Sequence, residues 1–525
     1  MATTDYALYV DWSGDGDFAD TGEVITSRLL SVQTERGKDF PSQLTGKSIA
    51  GKLVAVLNNE SGDYSPFKAD GDLYGNLLPG RKVQLIAGYN KAFAYDFPFV
   101  FTNLPIWSGF IDTIIPSVSV NEAKTATLTA LGPLATIAQR DTNVSLQTSQ
   151  RTDQLISTIL VDTGWSADDL DLEQGQTTIT KYFSASGNAL AAIRSVEETE
   201  AGFIGESHDG KIRFENRSFR MTNASSIVSN YVFSDATSAT YSYETIVQED
   251  PLPSIFNEFE AQAVTYTNGS LTTLWTLGES GTASPSLPAG DTITYIAQYP
   301  PLTEGVLASE IAGQVSVNAW TTPASSTDYT VNAAADGSGT NLTSSVAVSV
   351  TKTSNRMTIA LTNNSITDGY ITALKARGTT LVTSDPTRVS SEDSTSQTAF
   401  RKRTYKSKAK WFPSSAEAQN WTSYSLSIFK DPSPRLTISF TANKSAAMLA
   451  AALASDISHR ITVTADSART VLGIDEDFII ENIRHKVSQG NTLHQTTFEL
   501  SPASSSAGFW ALGYGSLSDD TKLSY

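Results

Sequence analysis

A loop near the start of the chain carries side chains with the spacing of a calcium-binding loop. Carboxylate or hydroxyl groups stand at alternate positions, and Gly16 lies where such a loop needs a sharp turn. The position that usually carries a bidentate glutamate is Gly22, which departs from the pattern, although Glu23 follows it. The candidate ligands are Asp11, Ser13, Asp15, Asp17 and Glu23. The alternative is an Asp/Gly-rich turn whose side chains accept hydrogen bonds from backbone amides.

A second candidate site is the basic run, residues 401–410, which holds six cations in ten residues. In a strand, four lysines of this run lie on one face, namely Lys402, Lys406, Lys408 and Lys410. One hypothesis is an electrostatic contact with acidic neighbours or with DNA in a lumen. The pattern favours the alternative, a solvated edge strand that lysines protect from stray pairing.

The residues that enzymes use are present without the spacing that catalysis requires. No two of the histidines, His208, His459, His485 and His494, have the i, i+4 spacing of a helical zinc motif. The sequence contains no distinctive Gly-x-Ser-x-Gly element and no Walker-type phosphate loop. Carboxylate pairs for glycoside cleavage say little in a chain with 55 acidic residues. We therefore predict a protein that is not an enzyme.

Composition sets further limits. With 37 Lys and Arg against 55 Asp and Glu, the formal charge is −18, which opposes non-specific adhesion to nucleic acid or anionic lipid. The 525 residues predict three or four domains at about 150 residues each, and the absence of cysteine leaves stability to burial and association. The start of the chain lacks the pattern of a secretory signal, which predicts a chain that is made and kept in the cytosol. The most apolar helical run, Ala446 to Ala454, is shorter than the about 20 residues of a membrane span.

The elements that position these residues follow from periodicity. Residues 1 to about 140 are short, alternating strands, which predict a barrel or a sandwich. From about residue 145 the period becomes helical, with Leu155, Ile156, Ile159 and Leu160 on the inner face of a helix that Gly164 ends. A second helix ends at Gly202, with Leu190, Ile193 and Val196 inward and Glu197, Glu198 and Glu200 outward. Asp209–Gly210, between two alternating runs, predicts a hairpin.

The second half of the chain also predicts strands, with one helix among them. Residues 257 to about 383 predict a β-sandwich, with turns at Asn268–Gly269, Ala289–Gly290, Asp336–Gly337 and Asp368–Gly369. A basic strand is expected from about residue 396, then a helix from Ser414 to about Phe429. Strands are expected again at Arg435–Phe440, Arg460–Val463, Phe478–His485 and His494–Leu500.

The end of the chain concentrates large apolar groups in a segment too short for a core of its own. These residues are Phe509, Trp510, Leu512, Tyr514, Leu517 and Tyr525. The segment must pack on another surface. Docking on a neighbouring subunit or a partner protein and folding back on the chain's own barrel remain equal alternatives.

Several stretches together resemble one family. They are the opening loop with Val24–Arg28, Ala50–Pro66, Trp107–Gly109, Asn188–Phe214, Phe478–Asn482, His494–Pro502 and Phe509–Gly515. The sequence resembles the tail-hub, or minor tail, proteins of long-tailed, siphovirus-like bacteriophages, which are related to contractile-phage hubs and type VI secretion spike hubs. The resemblance covers most of the chain at low motif specificity.

The resemblance implies a mainly β, multidomain (α+β) fold with two tube-like β-barrel modules, an inserted α/β domain and a β-sandwich domain. The expected units are a first barrel at 1–144, a peripheral α/β domain at 145–250, a sandwich-like domain at 251–395, a second barrel at 396–505 and a docking tail at 506–525.

The implied function is a structural hub, or baseplate component, at the tail tip of the virion. Three chains would form a six-barrel ring on a six-fold tail tube and present three-fold symmetry to the tip. The implied partners are a distal tail protein ring, a tape-measure protein and tail fibre or receptor-binding proteins, with DNA passing through without sequence recognition. The alternatives are a calcium-assisted receptor- or glycan-binding tail adhesin and a cell-wall hydrolase.

Overall fold

A computed structural model describes most of the chain. It covers residues 4–38, 47–91, 100–117, 123–184, 187–249, 254–277, 284–299, 314–465, 469–488, 490, 492–503, 509–510 and 522–523. The fold is mainly β and consists of several sheets with short helices between them. None of the helices in these residues has the length and apolar character needed to cross a membrane.

The first unit is an antiparallel set of six strands. They are β1 (Thr4–Val10), β2 (Leu29–Lys38), β3 (Ser48–Asn58), β4 (Lys82–Lys91), β5 (Val100–Ser117) and β6 (Thr125–Leu131), in the order β1-β4-β5-β6-β3-β2. Successive side chains of a strand point to opposite faces, so only every second residue enters the core. Strand β6 shows this clearly, because Ala126, Leu128 and Ala130 are buried and the residues between them are half-buried.

A smaller α/β unit follows. Its elements are α1 (Pro133–Ile137), β7 (Asp141–Thr142), β8 (Gln147–Arg151), α2 (Thr152–Asp162), β9 (Leu170–Leu172), β10 (Thr178–Tyr182), β11 (Gly187–Asn188), α3 (Ala189–Glu200), β12 (Phe203–Glu206), β13 (Ile212–Glu215), α4 (Phe219–Thr222) and α5 (Ala224–Ile227). Both predicted helices are confirmed, and the four inner residues predicted for α2 are fully buried. The β12–β13 hairpin is also confirmed, with Gly210 at φ +87° in its turn.

One feature of α3 differs from the sequence prediction. Glu197 and Glu200, expected to face solvent, are 3% and 0% exposed. Glu197 pairs with Arg194 one turn earlier at 2.9 Å. Glu200 accepts hydrogen bonds from Thr152 Oγ1 at 2.9 Å and from the amide of Thr177 at 2.8 Å. The prediction was wrong because a buried carboxylate is tolerated where donors satisfy it, and a helical periodicity does not reveal those donors.

Two short strands after the α/β unit belong to the same sheet as β1 to β6. Strands β14 (Val232–Ser234) and β15 (Thr245–Glu249) pair with strands from the C-terminal part of the chain. The next strands are β16 (Glu258–Ala263), β17 (Tyr266–Thr276), β18 (Ser286–Leu287), β19 (Thr292–Gln298), β20 (Gln314–Thr321), β21 (Tyr329–Asn332), β22 (Val346–Lys352), β23 (Arg356–Asn363), β24 (Gly369–Thr383) and β25 (Thr387–Glu392). The predicted boundaries between the domains stay predictions.

Two sheets of this middle region contribute to one hydrophobic core. Strands β17, β18, β20 and β21 all pair with the long strand β24, and β23 lies between β19 and β22. The predicted turn at Asn268–Gly269 was wrong, because both residues lie inside β17 at a break in its ladder. A Cβ on Gly269 would lie 2.5 Å from Thr380 Oγ1, so the glycine permits a close approach of strands.

The last part of the chain supplies the remaining elements. They are α6 (Ser394–Phe400), β26 (Thr404–Lys406), α7 (Ser415–Phe429), β27 (Arg435–Thr441), α8 (Ala446–Ala454), β28 (Arg460–Ala465), β29 (Ile474–Ser488), β30 (Leu493–Pro502), β31 (Phe509–Trp510) and β32 (Lys522–Leu523). The predicted strands and the helix after Ser414 are confirmed. The strand expected from residue 396 is wrong at its start, because Asp393 caps the helix α6 there.

The two ends of the chain share one sheet of twelve strands. Its second half contains β29, β30, β27 and β15, with β28 and β14 branching from β29. The halves join where β2 pairs with β29, from Val32 with Val487 to Gly37 with Asn482. Each half has a hydrophobic core of its own. Among the described residues, the paired strands of this sheet do not close into a barrel. An isolated β-bridge between Phe233 and Tyr241 links β14 to the segment before β15.

The β2–β29 ladder depends on a glycine, which gives a first prediction. Gly37 has φ +122°, and a Cβ there would lie 2.3 Å from the carbonyl oxygen of Glu481 and 2.7 Å from Asn482 Cα. We expect Gly37→Ala to lower the free energy of unfolding by about 3 kcal/mol or more, because both strain and overlap oppose it. Denaturant titration measures the change. Gly473→Ala is the control, since Gly473 has φ +69° with open space around it. An equal loss in both variants would contradict the expectation.

Candidate functional site

The predicted calcium loop is built as a self-capped turn. The two carboxylate oxygens of Asp11 accept the amides of Gly14 and Gly16, the latter at 3.0 Å. Asp15 Oδ1 accepts the amide of Asp17 at 3.2 Å, and Asp17 Oδ1 accepts that of Ala19 at 2.9 Å. Within the described ranges, no three His, Cys, Asp or Glu side chains converge as metal ligands would.

The other two predicted ligands also serve the loop. Glu23 is 1% exposed, and its Oε2 accepts the amide of Asp20 at 3.0 Å. The Ser13 hydroxyl donates to Asp11 at 3.3 Å and to Glu23 at 3.4 Å. These side chains are arranged as an Asp/Gly-rich turn, in which they accept backbone amides. The calcium site stays a prediction, and no step of the function rests on it.

The basic run lies at the margin of a three-stranded sheet with the order β25-β16-β26. Lys402 pairs with Glu258 at 2.7 Å, and Lys406 pairs with Glu260 at 3.4 Å, both across to β16. The side chains of Lys408 and Lys410 are exposed. Only Thr404–Lys406 of the run form β26, which is an edge strand of this sheet among the described residues. Lys402, Lys408 and Lys410 lie outside that strand, so the run does not form the single strand that would place all four lysines on one face. Whether it faces a lumen stays a prediction.

The apolar tail is described only in part. The backbones of Phe509 and Trp510 form β31, which pairs in parallel with β32. The other predicted docking residues, Leu512, Tyr514, Leu517 and Tyr525, lie outside the described residues. The docking of this tail stays a prediction.

The most distinctive site in the fold was not found from the sequence. It is an ionic junction at which the two halves of the large sheet meet the α/β unit. Its first carboxylate is Glu481 on β29, which binds both Nη atoms of Arg220 at 2.6 and 2.8 Å. Lys38 on β2 lies 3.0 Å from the same carboxylate, and the Ser501 hydroxyl donates to it at 2.6 Å. One buried side chain therefore connects β2, β29, β30 and the α/β unit.

The second carboxylate of the junction is Asp456, in the loop after α8. It pairs with Arg36 on β2 and with Arg213 on β13, the latter at 3.2 Å. Ser458 connects the two carboxylate clusters, because its hydroxyl donates to Glu215 at 2.6 Å and accepts from Arg220 Nε at 3.2 Å. The junction is thus one continuous network of charge-assisted hydrogen bonds.

The surroundings set the charge state of the junction. Burial alone would raise the pKa of Glu481, but the charges of Arg220 and Lys38 outweigh burial and hold that pKa well below its ordinary value. The pKa of Asp456 is likewise lowered, because Arg36 and Arg213 outweigh the effect of burial. Burial lowers the pKa of Lys38. A cavity of about 230 Å³ lies against this network, with Arg217, Arg220, Trp421 and Tyr424 among its lining residues.

A second polar contact fixes the α/β unit to the first half-sheet. Glu206 on β12 accepts the amides of Gly51 and Leu134, both at 2.7 Å. A Cβ on Gly132 would lie 2.0 Å from a Glu206 oxygen, so this glycine makes room for the carboxyl group. Burial raises the pKa of Glu206 to about 7, while the two amide donors act in the opposite direction.

The Glu481 cluster gives a second prediction. Glu481→Gln removes the negative charge and leaves the buried Lys38 and Arg220 without their counter-charge. We expect the free energy of unfolding to fall by about 3–5 kcal/mol, the usual cost of breaking a buried ion pair. Denaturant titration at pH 7 measures it. Glu476→Gln on the same strand, at an exposed position, is the matched control and should change stability little. A loss below 1 kcal/mol in Glu481→Gln would contradict the prediction.

Glu206 gives a third prediction, on pH dependence. Its pKa is raised in the folded state from 4.5 to about 7, so its contribution to stability is complete below about pH 4.5 and is lost as the pH rises through about 7. The difference in unfolding free energy between the parent chain and Glu206→Gln should therefore change by about 3 kcal/mol between pH 4.5 and 8.5. Urea titrations across this range measure it, with Glu476→Gln as control. A difference that is independent of pH would refute the expected shift.

Similarity to known proteins is found among solved structures. No family model and no curated protein matches the sequence. Among solved structures, a tail protein from Neisseria meningitidis is 10% identical, with 94% of this chain and 96% of that chain covered and a TM-score of 0.49. The 43 kDa tail protein of a Shewanella oneidensis prophage is 9% identical, with 96% and 99% covered and a TM-score of 0.47.

A third similar structure comes from a secretion system. An Escherichia coli component of the type VI secretion system, described as structurally similar to T4 bacteriophage tail proteins gp27 and gp5, is 7% identical. The match covers 98% of this chain and 80% of that chain, with a TM-score of 0.36. These three structures are two tail proteins, one of them from a prophage, and a component of a type VI secretion system, and the sequence resemblance named the same classes.

Proposed function

We propose that this chain is a structural hub at the tail tip of a phage virion. Three copies form a symmetry adaptor that caps the tail tube, anchors the distal tail and receptor-binding proteins and forms the channel for DNA ejection. The observation that carries the proposal is the twelve-stranded sheet, which has two halves, each with its own core.

The strand count supports the proposed symmetry. The first half-sheet contains six strands, β1 to β6, and the second half contains β14, β15, β27, β28, β29 and β30. Each half has a separate hydrophobic cluster, which supports the proposal that each half acts as one tube-like module. Three copies would present six such modules, which would match a six-fold tube on one side and a three-fold tip on the other.

The ionic junction supports a role based on shape. The network at Glu481 and Asp456 connects the two half-sheets and the α/β unit through buried ion pairs. A ring of modules closes only when the angle between neighbouring modules is fixed, because small deviations in that angle add up around the ring. We assign no reaction to the chain.

Charge, partners and location complete the proposal. A formal charge of −18 lets DNA pass without adhesion where carboxylates line the channel. The proposed neighbours are a distal tail protein ring, a tape-measure protein and tail fibre or receptor-binding proteins, and the proposed location is the tail tip after synthesis in the host cytoplasm.

The proposal predicts a defined particle. Purified full-length protein, examined by negative-stain electron microscopy and mass photometry, should form a ring of three copies with six tube-like densities. The Glu481→Gln variant should form fewer rings, because its two half-sheets lose their fixed angle, whereas Glu476→Gln should equal the parent chain. A chain that remains a monomer at all concentrations, or a ring with any other number of copies, would overturn the proposal.

A further inference from the structure

A second buried polar contact joins the two half-sheets. The Tyr6 hydroxyl on β1 lies 2.7 Å from Nδ1 of His494 on β30, and Nε2 of the same ring lies 3.0 Å from Nδ1 of His485 on β29. Thr496 Oγ1 lies 3.2 Å from that His485 nitrogen. All four side chains are buried. Because Tyr6 belongs to the first half-sheet and the two histidines belong to the second, this histidine contact holds the halves together.

The surroundings of the histidine contact are apolar. Val487 on β29 belongs to the core of the first half-sheet, although its strand belongs to the second half. Leu453 on α8 packs against the cores of both halves. Helix α8 carries no ionisable side chain, and Asn443 just before it accepts the amide of His494 at 3.2 Å. Elements of the second half therefore cover the first core at this point.

Protonation of the histidines would bury a positive charge without a counter-charge. Burial lowers the pKa of His494 to about 4. Burial, the neighbouring His494 and Arg36 on β2 together lower the pKa of His485 well below its ordinary value. Among the described residues, no carboxylate raises either pKa. Two protonated rings would also place two hydrogens between nitrogens that are 3.0 Å apart, where a hydrogen bond holds one.

The carboxylates on the neighbouring elements are already paired with other cations. Asp456 pairs with Arg36, the charged side chain that acts on His485. Arg484, on the opposite face of β29, pairs with Glu35 at 2.8 Å and with Glu499 at 2.7 Å. The lysines nearest in the sequence are exposed, namely Lys444 and Lys486. A proton on either histidine therefore meets cations or apolar groups.

The histidine contact and the Glu481 cluster lie toward different ends of the β2–β29 ladder. The ladder runs from the pair Val32–Val487 to the pair Gly37–Asn482. His485 is two residues from the first end, whereas Glu481 directly precedes Asn482 at the second end. The pKa values of Glu481 and Asp456 are lowered, so the ionic junction keeps its charges in mild acid. Mild acid therefore acts on one end of the ladder and spares the other.

We propose that the histidine contact is an acid-sensitive contact that opens when the two histidines take up protons. Strand β1 then separates from β29 and β30, while the ionic junction keeps the other end of the ladder closed. Above about pH 6.5 the open and closed forms are both neutral, and the contact is intact. As the pH falls toward about 4, only the open form takes up protons, so the closed form loses stability. This inference concerns a single chain and does not rest on the proposed function.

The test uses single cysteines in a chain that contains none. Val487→Cys places a thiol in the first core, and Val463→Cys places one in the second core, at positions that are both 0% exposed. Between pH 7 and 4.5, labelling at position 487 should rise roughly tenfold to a hundredfold, because each pH unit below the ordinary histidine pKa favours the open form about tenfold. Labelling at position 463 should not rise. Each rate is divided by that of the same variant unfolded in urea at the same pH.

Variants in the Val487→Cys background assign the response to the contact. His485→Asn/His494→Gln keeps polar groups that take up no proton in this range, so the rise in acid should disappear. Gln495→His adds an imidazole at an exposed position of β30 and should respond as the parent does. Tyr6→Phe removes the hydroxyl that reaches His494, so labelling should rise severalfold already at pH 7. Tyr9→Phe, on the opposite face of β1, is its matched control and should have no effect.

Every result of these measurements supports or refutes the contact. Protection of position 487 at pH 4.5, or equal labelling at 463, would overturn the proposal, because the first shows no opening and the second shows general unfolding. An acid response that persists in His485→Asn/His494→Gln would assign it to another group, such as Glu206. If that double variant does not fold, the two valine positions and the comparison of Tyr6→Phe with Tyr9→Phe still decide. The copy number of the particle does not enter these rates, so a failure of the proposed hub leaves this test unchanged.

Discussion

The pairing of β2 with β29 is the contact on which the rest of the structure depends. It joins segments from opposite ends of the chain, as in the ion pair between Glu35 and Arg484, whose positions are 449 residues apart. Bringing together residues so far apart in the sequence costs conformational entropy, and contacts between sequence neighbours do not offset that cost. The buried charges at Glu481 and Asp456 lie directly beside this ladder, so the ladder and the network form together.

Buried ion pairs of this kind act through geometry more than through net stability. Moving charges out of water costs several kcal/mol for each ion, and the attraction within the pair does little more than offset that cost. Any other arrangement leaves a charge buried without its partner. The bidentate contact between Arg220 and Glu481 therefore excludes alternative positions of the α/β unit against the half-sheets. This is the property that a ring of modules requires.

Local signals predicted a large part of the fold. Helices α2, α3 and α7 and the β12–β13 hairpin followed from periodicity, caps and an Asp–Gly turn, all of which act over a few residues. The ionic junction was missed because its partners are far apart, such as Arg213 and Asp456 at a separation of 243 residues. Asn268–Gly269 was misplaced because the same dipeptide suits a turn and a close approach of two strands. For the acidic loop, the sequence allowed either a calcium site or a turn capped by its own side chains. The structure shows the capped turn, and the calcium site stays a prediction.

The middle β unit is attached in a different manner from the half-sheets. Tyr266 at the start of β17 stacks on Trp411 with ring centroids 5.9 Å apart, and Phe183 of the α/β unit meets both rings edge-on at 5.8 and 5.4 Å. Aromatic contacts have broad energy minima and tolerate small rotations, whereas a bidentate ion pair does not. The chain thus joins the half-sheets through buried ion pairs and attaches the middle β unit through aromatic contacts and hydrogen bonds, such as the one from Ser354 Oγ to the carbonyl of Ser184 at 3.0 Å. In the proposed hub, the ion pairs would fix the ring geometry, and the aromatic contacts would let the middle β unit adjust to the proteins that it carries.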